Sequence, residues 1–167
     1  MKKNNMLISG TALCALIIIA AFGCKGDKTA KSPMKHEDLG KQPWIVDIED
    51  MTVSNNDFRA ARWTGKYMQM TIMSIKPGEQ IGLEAHPNTD QFLRLEKGKA
   101  KVLMGKTKDS LEFEKEVSDD WAVFIPAGYW HNLINIGKED VKLYSIYTPA
   151  EHPAGTVHAT PKDDPHH

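Results

Sequence analysis

Cysteine is nearly absent from this 167-residue chain: there are two, Cys14 and Cys24, and none follows. Beyond residue 24, disulfides and thiolate-bound metals are therefore excluded, and a folded domain must rest on its core. An excess of either charge is missing as well. With 21 Lys+Arg against 22 Asp+Glu, the formal net charge is -1, and no dense basic cluster occurs. Neutralising phosphates needs a basic stripe, so nucleic acid is excluded as a partner. Long apolar runs are confined to Leu7–Phe22, which is short for a membrane span and is followed by Lys25 and a polar stretch. No long amphipathic helix is patterned anywhere. What is present, 41% hydrophobic and 26% charged residues, suits one globular domain with a real core and is too little for two.

Lys2 and Lys3 ahead of the apolar run mark residues 1–23 as an export leader. Its end, Ala21-Phe22-Gly23-Cys24, resembles a bacterial lipobox. That resemblance implies lipidation of Cys24 and a lipoprotein anchored to a membrane of the bacterial cell envelope. Ordinary cleavage, leaving a periplasmic or secreted protein, is the alternative. Loss of the leader removes two lysines and no acids, leaving 19 basic against 22 acidic residues. Residues 24–43 are rich in Lys, Gly, Asp and Ser and poor in apolar side chains, the composition of a flexible tether.

From there the pattern is one of short strands. Runs at 58–64, 67–75, 81–85, 91–96, 100–104, 111–117, 122–125, 130–136 and 141–147 are separated by turn chemistry such as Lys76-Pro77-Gly78, Lys97-Gly98-Lys99 and Pro126-Ala127-Gly128. The spacing predicts an all-β barrel or sandwich over 44–148 with no internal repeat. Residues 149–167 are rich in Pro, His and Asp and are expected to loop over the barrel or fray, ending partly disordered.

Side-chain parity groups several polar residues. Glu84 and His86 are two apart and share one side of a strand; Gln91, Leu93 and Leu95 share one face of the next. His131 lies just after a Pro-x-Gly turn and two beyond Tyr129, at the start of another inward-facing run. In a small barrel alternate residues point inward, so Glu84, His86, Gln91 and His131 can converge. Two imidazoles, a carboxylate and an amide oxygen suit Zn, Fe, Mn, Co or Ni. Met68, Met70 and Met73 are expected as core filler. Trp121 and Trp130 are expected to pack the sandwich, with Trp130 also a candidate pocket wall. Asn132 and Asn135 are expected to hold the turn and strand around them.

Two blocks carry a family likeness. The first runs Gly78, five residues, Glu84-Ala85-His86, four residues, Gln91, six residues, Gly98; the second runs Pro126-x-Gly128, two residues, His131, three residues, Asn135. At these residues the chain resembles the cupin superfamily, with Glu84 in place of the first motif's first His and Gln91 in place of its Glu. The resemblance implies a single double-stranded β-helix, or jelly-roll, barrel holding one divalent metal ion through Glu84, His86, Gln91 and His131. It also implies a small-molecule ligand and a homodimer formed through the barrel's outer face, to which Phe92 and Trp44 could contribute. The donor set is similar to that of mannose-6-phosphate isomerases with Gln and Glu exchanged. The first expectation is therefore Lewis-acid, isomerase-like chemistry on a small oxygenated, sugar-like molecule. A metal-dependent dioxygenase and a non-catalytic binding module at the cell envelope are the alternatives. His152 and His158, flanking Pro153 and Gly155, are the candidate proton carriers. His166 and His167 are expected only in a disordered end.

Overall fold

The computed structural model describes residues 37–165. The leader, Cys24, most of the tether and the terminal pair His166 and His167 lie outside the described residues. A short helix, α1 (Ile48–Ser54), comes first. The Asp47 side chain caps it by accepting a hydrogen bond from the Asp50 amide at 3.0 Å, and Glu49 and Asp50 place negative charge in its first turn.

Among the described residues nine strands follow: β1 (Arg59–Thr64), β2 (Gln69–Ile75), β3 (Asp90–Lys97), β4 (Lys99–Gly105), β5 (Phe113–Ser118), β6 (Ala122–Ile125), β7 (Trp130–Asn135), β8 (Val141–Thr148) and β9 (Val157–His158). They form a six-stranded sheet in the order β6-β3-β8-β2-β1-β9 and a three-stranded sheet in the order β5-β4-β7. Every strand pairing is antiparallel.

The register of the large sheet places the site. One inward row reads Gln91, Tyr147, Gln69; the next Leu93, Ser145, Thr71; the third Leu95, Leu143, Met73, Arg59. The inner wall is thus polar at one end and, apart from Arg59 on β1, apolar towards the other. Leu93, Leu95, Met73 and Leu143 pack there against Val102 and Leu133 of the small sheet. On the outer face Met51 of α1, with Trp44, covers Ala60, Met70 and Ile72. Met70 and Met73 therefore fill two different cores, whereas Met68 is exposed. Trp121, expected to be packed, is 44% exposed, because it lies in the turn before β6 rather than in a strand.

The run at 81–85 differs from the expected strand. Gly82 has φ +103°, a left-handed conformation that breaks the ladder. Only isolated bridges, Gln80 to Ile134 and Glu84 to His131, remain. The side chain of Asn132 accepts the freed Gly82 amide at 3.2 Å, and that of Asn135 donates to Ile75 and Glu139 carbonyls at 2.8 Å each. Both asparagines thus hold backbone, as their positions suggested.

Both ends of the described chain are tied to the barrel. Asp38, from the tether, accepts hydrogen bonds from the amides of Gly40, Thr64 and Gly155 at 2.8, 2.9 and 2.9 Å and from the Thr64 hydroxyl at 2.5 Å. Residues 149–165 turn back over the barrel. There β9 pairs with β1, and the Asp164 carboxylate forms an ion pair with Arg59, both side chains being almost fully buried.

Candidate metal centre

The second motif builds a turn that joins both halves of the site. The Tyr129 amide donates to the Pro126 carbonyl at 3.1 Å, and Gly128 adopts φ +80°. That is the position of a type II turn that glycine occupies without a Cβ penalty. The Gly128 amide also donates to the His86 carbonyl at 2.8 Å, and the Asp90 side chain accepts the Ala127 amide at 2.9 Å. Asp90, the neighbour of Gln91 in the first motif, is thereby occupied as an exposed turn clamp.

Glu84 and His131 face each other through a reciprocal backbone pair, Glu84 N–H to His131 O at 3.1 Å and His131 N–H to Glu84 O at 2.8 Å. Glu84 Oε1 lies 3.4 Å from His86 Nε2 and 3.4 Å from His131 Nε2. Among the described residues, Glu84, His86 and His131 are the group whose ligand atoms all lie within 4.8 Å of one another. All three atoms are buried, and none has a hydrogen-bond partner. They are near enough to attract but are not aligned as hydrogen bonds, so they converge on a common point. Leaving such groups unpaired is costly, and a cation between them removes the cost. The residues present therefore fit a metal ion.

The imidazoles are oriented from behind. His131 Nδ1 lies 3.0 Å from the Tyr129 carbonyl, which requires Nδ1–H and leaves the Nε2 lone pair inward. His86 Nδ1 lies 3.2 Å from the Glu151 carboxylate, giving the same tautomer through a charged partner. Gln91 is buried; its amide nitrogen donates to Ser145 Oγ at 3.1 Å, and its Oε1 is unpartnered. Burial alone would raise the Glu84 acid constant. The close approach of His131 and His86, with the charge of Arg59, outweighs it and holds Glu84 well below the usual carboxylate range. Burial lowers His86, but Glu84 and Glu151 outweigh it and the net shift is upward.

A cavity of about 240 Å³ opens beside Glu84 and His86 of the triad, lined by these two with Leu83, Ala85, Trp130 and Glu151. Trp130 is thus a pocket wall. Behind the triad, the Tyr147 ring stands edge-on to His86 at 5.6 Å and to His152 at 5.1 Å. Burial, opposed in part by Arg59, pushes the Tyr147 hydroxyl up to about 12. Burial and then the Arg59 charge lower His152 to about 3, so at neutral pH it is uncharged and offers hydrogen bonds. His158 sits on β9 with Nδ1 3.7 Å from Asp164 and outside the triad. Glu151, Tyr147 and Arg59 were not singled out from the sequence. Tyr147 carried a signal, inward parity with Ser145 on β8; Glu151 lies in an irregular segment with none.

A family model described as a cupin domain matches residues 71–147. The chain belongs to the cupin superfamily. It is 56% identical over 127 residues to the uncharacterized protein YrkC of Bacillus subtilis, a match covering 76% of this chain and 68% of that one. It is 40% identical over 117 residues to the uncharacterized protein L612 of Acanthamoeba polyphaga mimivirus, covering 70% and 71%. A crystal structure of BH2720 from Bacillus halodurans is 54% identical, with a TM-score of 0.76 over 76% of this chain and 96% of that one. The jelly-roll architecture expected from the two motifs is the one the cupin strands adopt.

Proposed function

We propose that this cupin domain holds one divalent ion through Glu84, His86 and His131, with Gln91 Oε1 as a fourth donor, and acts on a small oxygenated molecule. The convergence of three buried, unpartnered donor atoms carries the reading. A bound ion would supply Lewis acidity, polarising a carbonyl or hydroxyl oxygen of the substrate. The chain supplies the rest. The pocket, at about 240 Å³, is smaller than drug-sized ligand sites of roughly 300–1,000 Å³ and suits a compact molecule. Trp130 and Leu83 give it apolar walls. Glu151 is the pocket-lining carboxylate outside the triad, with its side chain 29% exposed, and is placed to accept a proton from a molecule bound there.

This favours isomerase-like proton transfer over oxygen chemistry, because a base already stands beside the pocket. Metal-loaded protein incubated in D₂O with small hydroxy-carbonyl compounds should exchange the proton next to the carbonyl, followed by NMR, without consuming O₂. Oxygen uptake without such exchange would replace this reading with the dioxygenase, and neither signal would leave the binding module. For the whole chain we propose anchorage at the cell envelope through lipidated Cys24. Palmitate labelling that persists in Cys24→Ser would disprove that anchor.

A further inference from the structure

A second set of unpartnered polar atoms is contributed by β1, by β8 and by the segment that follows β8. Arg59 is fully buried. Its Nη1 is taken by Asp164, while Nε and Nη2 have no partner. The Tyr147 hydroxyl and His152 Nε2 are likewise buried and unpartnered. The Tyr147 and His152 rings meet edge to face at 5.1 Å, and the Arg59 charge acts on Tyr147, on His152 and on Glu84 of the triad.

A structural ion pair alone does not explain this arrangement. Asp164 balances the charge of Arg59 but occupies one edge of the guanidinium, and the free Nε and Nη2 present the paired N–H geometry that grips a planar oxyanion. Tyr147 adds an O–H donor within electrostatic reach of it. A buried guanidinium with two idle nitrogens is costly unless something accepts from them. We propose that Arg59, Tyr147 and His152 form a buried oxyanion subsite beside the metal centre, built to take a carboxylate of the substrate. This deepens the reading of the pocket as a site for a small oxygenated molecule, and it requires no ion. The substrate class becomes a small hydroxy- or keto-acid: one oxygen lies at the triad and the carboxylate rests on Arg59.

The test is calorimetric titration of malonate, with malonamide as its neutral analogue, into metal-loaded and metal-free protein. Wild type should bind malonate at least tenfold more tightly than malonamide. Tyr147→Phe keeps the buried ring and removes only the hydroxyl, and the Tm of the variant reports whether the fold is kept. It should weaken malonate about tenfold, the loss of one hydrogen bond to a charged group, with metal content and Tm unchanged. Arg59→Lys, which keeps the charge facing Asp164 but loses the fork, should weaken it further. Equal binding of malonate and malonamide, or wild-type affinity in Tyr147→Phe, would overturn the subsite. Protein that takes up metal but binds no malonate would remove the subsite and leave the metal centre standing. Malonate binding that needs Tyr147 in protein unable to take up metal would support the subsite and remove the metal reading.

Discussion

Replacing Glu151 with Gln probes how the site is held together without touching any of its proposed ligands. The Glu151 carboxylate lies 3.2 Å from His86 Nδ1 and fixes the tautomer that points Nε2 at the triad. The amide keeps the shape and can still accept from Nδ1–H, but it loses the charge that raises the basicity of His86. Partners of this kind are worth about 10–100-fold in metal affinity. Glu151 is partly open to water, which screens it, so the expected loss for Glu151→Gln is about tenfold, near 1.4 kcal/mol. Glu151→Ala, which also releases the ring, should approach the upper end. The assay is competition against a chromophoric chelator at fixed pH, with the denaturation midpoint of the metal-free protein as control. The matching group on His131 is the Tyr129 carbonyl, a backbone atom that mutation does not remove. Orientation of His86 should therefore be the weak point. Wild-type affinity in both variants, with folding intact, would refute the idea that Glu151 orients this ligand.

Two further outcomes concern how the barrel is closed. Asp164→Asn leaves the Arg59 guanidinium buried without its counter-charge and should cost about 3–5 kcal/mol, read as a lower urea midpoint at unchanged slope; a shift within error would mean that this pair is open to water in solution. For Asp38, burial raises the carboxyl, but the Thr64 hydroxyl and the Gly155, Gly40 and Thr64 amides outweigh it and the folded value is lowered from 3.8. Its stabilisation is therefore complete well above that value and lost as pH falls through the lower folded one. In Asp38→Ala the acid limb of the stability curve should flatten, with a loss of about 1–2 kcal/mol at neutral pH. An unchanged acid limb would contradict the clamp.

The site was legible where local rules act. The Pro126-x-Gly128 turn, the two-residue spacing of Glu84 and His86, and the inward parity of Gln91 with Leu93 and Leu95 depend on neighbouring residues alone, and the structure keeps each. Glu84 and His86 share a side although 81–85 is not a strand, because the Glu84–His131 backbone pair does what a full ladder would have done. What could not be seen depends on chain return. Glu151 reaches His86, and Asp164 reaches Arg59, only because residues 149–165 fold back along β1, and no periodicity encodes that path. Arg59 heads a strand whose burial is unusual for its type, and its meaning appears only with Asp164 beside it. Helix α1 spans seven residues, too few for a helical period to register.

Elemental analysis of untagged protein, comparing wild type with His86→Ala/His131→Ala, tests the central claim most directly. The account predicts one divalent ion per chain in the wild type and none in the double variant, with both folded. Equal metal content in the two, or a metal-free wild type that takes up no divalent ion on dialysis, would contradict it.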